Sequence, residues 1–358
     1  MTGRFDGFYN WNETFTKDAP VTMVISERSL GKTYGLLKQC IYDFLRDGVM
    51  FATLYRTDSE RKEVAPFIFE KIEDDPDFRE KYIFKSSSKQ AYIAEKPKDG
   101  EKPCWKQCAY HIALSQWQRD KKRGFKPCKR FIFDEAIIDS MDRYHGYLPG
   151  EVEILGNVIS TVARENEENA SDVKPRLYCL ANACNFVNSI FIYFGITEVP
   201  KYGYSWYGSK TLLLHFVKPD VERSKFMKSN TTAGRILAHS KVASSNYDNR
   251  FLDANDDFIE KKPKNAKFYM GFMFKNKRFG VWIDRNEGLL YVNDKIVKNS
   301  HYIYSLTTSD SKINLLNLKR GSRVMRDMVE LYYAGCIRYE TIEIRQRFYD
   351  LLKMFGVI

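Results

Sequence analysis

Val21-Thr22-Met23-Val24-Ile25, followed at once by Ser26-Glu27-Arg28-Ser29-Leu30-Gly31-Lys32-Thr33, decides the fold. The first five residues are a short apolar run rich in β-branched side chains, which predicts a buried strand. The next eight approximate the phosphate-loop pattern G-x-x-x-x-G-K-[ST], with Ser26 where the first Gly belongs. The chemistry says what must be kept. Backbone N–H groups curl around phosphates, and the helix N-terminus adds its partial positive charge. Lys32 is placed to reach the β- and γ-phosphates of ATP, and the Thr33 hydroxyl to hold Mg2+. The first position needs a small residue able to turn, which Ser can be at some cost. Tyr34 to Leu45 then predicts a helix with Leu36, Leu37, Cys40, Ile41 and Phe44 on one face. Met50 to Tyr55 predicts the next strand. Strand, helix, strand is the signature of a parallel α/β sheet.

Phe131-Ile132-Phe133-Asp134-Glu135 supplies the other half of the chemistry. An apolar strand ending in two carboxylates reads as a Walker B element, with Asp134 holding Mg2+ through a water and Glu135 activating the attacking water. Lys32 and Asp134 stand roughly 100 residues apart, which leaves room for an intervening strand and helices. The P-loop class that uses a catalytic Glu places an additional strand between its two motif strands. Asn182, just past the strand Arg176 to Leu180, is placed to sense the γ-phosphate or hold the lytic water; the alternative is an Asn that merely ends the strand. Glu151 to Ala163 predicts an amphipathic helix.

Arg119, Lys121, Lys122 and Arg123 form a basic loop before the acidic strand. It suits nucleic-acid phosphates or a neighbouring subunit's nucleotide, and equally a solvated surface. Arg56, at the end of the second strand, is a further basic candidate for such contacts. Cys104, Cys108 and His111, with Cys128, invite a zinc reading, but the C-x-x-x-C spacing is not the usual ribbon pattern. A reduced, packed hairpin is the competing reading.

The bulk numbers agree with a polyanionic partner. The 358 residues hold 57 Lys+Arg against 46 Asp+Glu, a formal +11, which favours nucleic acid first and an anionic membrane second. The seven cysteines are odd in number and scattered, which fits a reducing cytoplasm and not a secreted disulfide framework. Neither a signal peptide nor a membrane-spanning apolar run is expected. The organisation predicted is an α/β domain over 1–218, a partly helical linker over 219–262, and a small α+β domain over 263–358. The last opens with an antiparallel meander, Lys267 to Phe274, Arg278 to Asp284 and Leu289 to Val292, and closes with two helices, Ser322 to Ala334 and Ile342 to Phe355.

With these residues in view, the chain resembles the DNA-packaging ATPases of phi29-like small short-tailed phages. The similarity is collinear. It runs through Phe8-Tyr9-Asn10, the phosphate loop with its internal Arg28, Ser115-Gln116-Trp117-Gln118 and Phe133-Asp134-Glu135. It continues through Thr161-Val162-Ala163-Arg164-Glu165-Asn166, Leu180-Ala181-Asn182-Ala183, Gly280-Val281-Trp282-Ile283-Asp284 and Tyr304-Ser305-Leu306-Thr307-Thr308. The chain departs at Ser26 and Ser29, where Gly is expected. The resemblance implies a ring-forming translocase with an additional-strand P-loop NTPase domain. It implies a homopentamer on the procapsid portal, driving double-stranded DNA inward with ATP. It implies that Arg164 is a trans-acting arginine finger and that Lys121 falls at a second trans-acting basic position. It implies a ribonuclease-H-like second domain. That domain's first strand lacks carboxylates and only Asp284 ends the second, so a nuclease-dead module is expected, docking on the portal or on a structural packaging RNA. Two other readings share parts of this pattern: a plasmid or conjugative DNA pump or helicase, and a non-enzymatic nucleic-acid-binding assembly factor with a decayed phosphate loop. Ser26 supports the latter; the intact Lys32, Thr33, Asp134 and Glu135 oppose it.

Overall fold

The computed structural model describes residues 8–98, 100–138, 146–163, 174–186, 188–237, 240, 242–251, 258–310, 314–316 and 323–355. The chain divides into two compact units, Met1–Gly195 with Pro200–Asp253, and Ile196–Val199 with Ala254–Ile358.

The first unit is built on a nine-stranded sheet. Its strands are β1 (Val21–Ile25), β2 (Met50–Tyr55), β3 (Tyr82–Ser86), β4 (Gln90–Glu95), β5 (Lys106–Ala113), β6 (Cys128–Phe133), β7 (Arg176–Ala181), β8 (Gly203–Tyr207) and β9 (Leu212–Phe216). They lie in the order β3-β4-β5-β2-β6-β7-β1-β9-β8. The six strands from β5 to β9 in that order are parallel. The β3-β4 hairpin extends one edge antiparallel, and β8 closes the other. A parallel sheet is covered on both faces, so its strands are apolar throughout. Every residue of β2 is buried, and Phe51, Phe131 and Phe133 are fully so. Burying each such ring contributes about 1.5–3 kcal/mol over leaving it exposed.

Strand β7 lies between β1 and β6, which is the additional-strand arrangement expected from the paired motifs. It comes from beyond the acidic strand in sequence. The segment between Lys32 and Asp134 instead supplies β2 to β5, on the far side of β6. The helix after β1 spans Lys32–Asp47 and buries Leu36, Leu37, Cys40 and Ile41 on one face. It stops at Gly48, whose left-handed φ of 70° lets its N–H return to the Phe44 carbonyl.

The predicted linker is not a separate stretch. Helices Val221–Asn230, Thr232–Leu237 and Val242–Asp248 follow β9, and the first unit continues to Asp253. The composition shift at Lys218 marks a change from strand to short polar helices, not the end of the unit. Asp220 starts the first of these helices by accepting from the Glu222 and Arg223 amides. The first two cross so closely that a Cβ on Gly234 would fall 2.0 Å from the Met227 carbonyl oxygen.

The second unit is a small α+β unit. Its strands are β10 (Lys267–Phe274), β11 (Lys277–Asp284), β12 (Leu289–Asn293), β13 (Ile303–Ser305) and β14 (Ile337–Tyr339), ordered β13-β10-β11-β12-β14. The expected meander is β10-β11-β12. It turns first at Lys275-Asn276, both left-handed, as a two-residue hairpin requires. Strands β13 and β14, each three residues long and parallel to its neighbour, lie at the edges. Helices Arg323–Tyr333 and Ile342–Lys353 pack Met328, Phe348 and Leu352 against Phe272 and Phe279. The Asp284 carboxylate is buried and fixed in a turn, accepting from the Asn265 side chain at 3.0 Å and the Asn286 amide at 2.9 Å. No cluster of three or more His, Cys, Asp or Glu that could hold a metal occurs among the described residues. No helix among them is long and apolar enough to cross a membrane.

Candidate nucleotide site

The strand order brings three loops together at one end of the sheet. Residues 26–31 leave β1, Asp134-Glu135 leave β6, and Asn182 leaves β7. Short backbone bonds tie their roots: Ser26 N donates to the Ala181 carbonyl at 3.2 Å, and Ala136 N donates to the Leu180 carbonyl at 2.9 Å. Among these ends lies a cavity of about 860 Å³. Arg28, Ser29, Leu30, Gly31, Lys32, Thr33, Asp134, Glu135 and Asn182 all contribute to its lining.

The loop has the local conformation that phosphate binding needs. Ser29 and Gly31 are left-handed, at φ 64° and 71°. Gly31 is also the N-cap of the helix that follows, with no side chain capping its first turn. An uncapped helix start offers its amides to an anion. The left-handed φ favours glycine at Gly31, and a Cβ there would also meet the exposed Phe8 ring at 2.3 Å unless that ring moved.

Lys32 is 8% exposed. Its ammonium donates to Ser26 Oγ at 2.8 Å, Asn182 Oδ1 at 3.1 Å, and the Ser26 and Glu27 carbonyls at 3.3 Å each. Burial lowers its pKa to about 8, against the pull of Asp134 and Glu27. The hydroxyl of Ser26, the residue that departs from consensus, thus helps to hold the lysine. Glu27 is buried with one carboxyl oxygen lacking a hydrogen-bond partner. Burial raises its pKa, with the field of Arg223 and Lys32 opposing.

The two motifs meet directly. Thr33 Oγ1 donates to Asp134 Oδ2 at 2.6 Å, and the Glu135 amide donates to Asp134 Oδ1 at 2.9 Å. A hydroxyl and a carboxylate at this spacing are the hard oxygen donors that Mg2+ takes, so the residues fit that ion. Glu135 is left-handed at φ 49°, a conformation that costs a non-glycine residue on the order of 1 kcal/mol. It is exposed and contributes to the cavity lining. Enough protein surrounds it that desolvation, then Asp134 and Glu60, raise its pKa, with Arg28 and Arg56 opposing. A base with a raised pKa is a better acceptor for a water proton near neutral pH.

Arg56 is not a nucleic-acid contact. It is 5% exposed, and its guanidinium donates to both Glu151 carboxylate oxygens, at 2.7 and 3.2 Å. It also donates to the Glu135 and Ala136 carbonyls, at 3.3 and 3.2 Å. A buried guanidinium cannot reach a polyanion; this one positions the backbone of the acidic loop. Glu151 opens the helix Glu151–Ala163 and also accepts from Ser189 Oγ at 2.8 Å. The zinc reading also fails. His111 Nδ1 pairs with Thr53 Oγ1 at 2.5 Å and Nε2 with Ser86 Oγ at 3.0 Å, while Cys108 and Cys128 are buried and Cys104 is exposed. Burial lowers the His111 pKa to about 3 and pushes both buried thiols up, so the cluster is a neutral core.

Arg119, Lys121 and Lys122 are exposed around the short helix Trp117–Asp120, away from the cavity lining. Arg123 is half-buried over the Phe125 ring and 3.6 Å from Asp120. Arg164 lies outside the described residues, directly after the helix Glu151–Ala163. Sequence reasoning missed the N-terminal contribution. Tyr9 N donates to the Leu30 carbonyl at 2.9 Å, and Trp11 Nε1 to the Lys32 carbonyl at 3.0 Å. The one signal for it was an aromatic cluster just ahead of β1.

Comparison with known proteins adds to this geometry. Residues 5–357 match the family described as Podovirus DNA encapsidation protein (Gp16). The DNA packaging protein of Bacillus phage B103 is 28% identical over 343 residues, 95% of this chain and 98% of its own. That of Bacillus phage phi29 is 26% identical over 352 residues, 98% of each chain. Among solved structures, a chain of the bacteriophage Phi-29 viral genome packaging motor assembly is 25% identical with a TM-score of 0.62, over 97% of this chain and 99% of that one. A chain of the Phi-28 DNA packaging motor, 18% identical with a TM-score of 0.67 over 98% of each, shares the fold.

Proposed function

The chain belongs to the podovirus DNA encapsidation protein family, and from that premise we propose that it is the ATP-hydrolysing motor subunit that drives double-stranded DNA into a procapsid. The observation that carries the reading is the Thr33–Asp134 contact at 2.6 Å beside the buried Lys32. Phosphate grip, metal donors and a candidate base converge at one cavity, which a decayed loop would not retain.

In this reading the loop amides and Lys32 hold the β- and γ-phosphates. Thr33 and, through a water, Asp134 would hold Mg2+, which would neutralise charge developing on the phosphate oxygens. Glu135 accepts the proton of the water that attacks the γ-phosphorus. Asn182, hydrogen-bonded to Lys32, keeps the lysine aimed and reports on the γ-phosphate. Arg164 acts in the site of the neighbouring subunit, where such a finger contributes ~10³–10⁵ in rate. Lys121 is the second trans-acting candidate, and Arg119, Lys122 and Arg123 extend the basic surface toward DNA. The working form is a homopentamer on the portal, in the host cytoplasm. The second unit, ribonuclease-H-like and nuclease-dead, docks on the portal or a structural packaging RNA. Its inactivity rests on a first strand, β10, without carboxylates and on an Asp284 committed to its turn.

The test is hydrolysis of ATP by the purified chain with and without double-stranded DNA and portal, with Lys32→Ala alongside. Stimulated turnover that Lys32→Ala abolishes supports the reading. Stimulation by single strands alone would favour a helicase instead.

A further inference from the structure

The phosphate loop is held from outside by residues remote in sequence. The Ile25 carbonyl accepts from Val217 N at 2.9 Å and from Asn249 Nδ2 at 3.1 Å. The Ser29 carbonyl accepts from Arg223 Nη2 at 2.6 Å. The Arg28 amide donates to the Asn246 carbonyl at 3.0 Å. Three of these four partners belong to the helical segment after β9, which composition had marked as linker.

A trans peptide is planar, with its C=O and the following N–H on opposite edges. Fixing a carbonyl therefore fixes the direction of the next amide. Holding the Ser29 carbonyl sets the Leu30 N–H, and holding the Leu30 carbonyl, which Tyr9 does, sets the Gly31 N–H. Both residues line the cavity. The Leu30 and Gly31 amides are thus aimed by bonds made on the loop's outer side, while Asn249 fixes the root of the loop at Ile25.

Asn249 is the centre of this mount. It is fully buried, and its φ of 48° is one that Asn tolerates better than most residues. Its carboxamide bridges Ile25 O and Val217 O, the latter at 2.7 Å. These are the last residue of β1 and the first after β9, where the paired strands part.

We propose that Asn249 is a positioning residue for nucleotide binding, assisted by Arg223 and the Asn246 carbonyl. The helices Val221–Asn230 and Val242–Asp248 are then the outer wall of the phosphate site, and loop geometry and helix position move together. This rests on the nucleotide reading of the cavity.

The experiment titrates ADP with Mg2+ into the full chain and its variants, beside thermal melting without nucleotide. Asn249→Gly keeps the left-handed backbone and removes the bridge. Loss of two buried hydrogen bonds should weaken ADP binding about tenfold or more. The kcat for ATP at saturation should stay within about threefold, so the effect falls on KM. Arg223→Met, at a half-buried position outside the apolar core, should weaken binding roughly threefold, and Arg223→Lys should recover part of it. Unchanged ADP affinity in Asn249→Gly, whatever its melting temperature, would overturn the inference and leave Asn249 as a strand clamp only. If Asn249→Gly does not fold, Asn249→Asp, which keeps the side-chain shape and removes the Nδ2 donor, takes its place under the same criterion. Wild-type ADP affinity in Lys32→Ala would instead remove the nucleotide reading beneath it.

Discussion

Thr33 and Asp134, 101 positions apart, share a 2.6 Å hydrogen bond from hydroxyl to carboxylate. The contact exists because β7 spaces β6 from β1 by one strand, so the ends of the two motif strands face each other across its tip.

The pair predicts metal dependence. Thr33→Ala and Asp134→Ala should each raise the Mg2+ concentration for half-maximal ATP turnover at least tenfold. ATP binding in a chelator should not weaken, since neither side chain then has an ion to hold. Titrating Mg2+ in a steady-state assay reads both numbers.

Lys32 predicts opposite pH trends for binding and stability. Its pKa is lowered from 10.5 to about 8, so only below about 8 does it carry the charge that phosphates need. Nucleotide affinity should fall as pH rises through that value. Between about 8 and 10.5 the unfolded chain binds the extra proton, so the nucleotide-free protein should become more stable with rising pH. Lys32→Met should flatten both curves, read by ADP titration and by denaturant melts.

Arg56 predicts a folding defect and no DNA phenotype. Its partner Glu151 is fully buried, so Arg56→Ala strands a carboxylate and should cost about 3–5 kcal/mol. The double variant Arg56→Met with Glu151→Leu should regain more than half of that loss in urea melts. The salt dependence of DNA binding should match wild type in the double variant.

The core histidine predicts indifference to zinc. A strong chelator should leave the melting temperature unchanged, because His111 bonds two hydroxyls. Thr53→Val should lower it by leaving a buried ring nitrogen without its partner.

The trans assignment of Arg164 predicts complementation. Arg164→Ala and Glu135→Gln subunits, each inactive alone, should regain hydrolysis when mixed, because one intact site can form at a mixed interface. Absence of rescue at every mixing ratio would count against a finger acting between subunits.

What the sequence made legible was what sits locally. Gly31-Lys32-Thr33 and Asp134-Glu135 each announce themselves by residue type beside an apolar strand, and Asn182 by its place after one. Charge was legible but burial was not, so Arg56 looked like a surface cation until Glu151, 95 positions away, was seen to neutralise it. Asn249 reaches the loop across 224 positions and leaves no local pattern. Strands β13 and β14, three residues each, are too short to show an alternation. The polar helices after β9 read as linker because their contribution is hydrogen bonding to a loop, not an apolar face.

The most direct test of the motor mechanism is a paired measurement on Glu135→Gln: ATP binding at equilibrium, and ATP turnover with double-stranded DNA and portal present. A catalytic Glu135 predicts binding within about threefold of wild type and turnover lowered by roughly 10²–10⁴, the range for loss of a general base. Turnover at the wild-type rate, or a wild-type chain that hydrolyses no ATP with DNA and portal supplied, would contradict it.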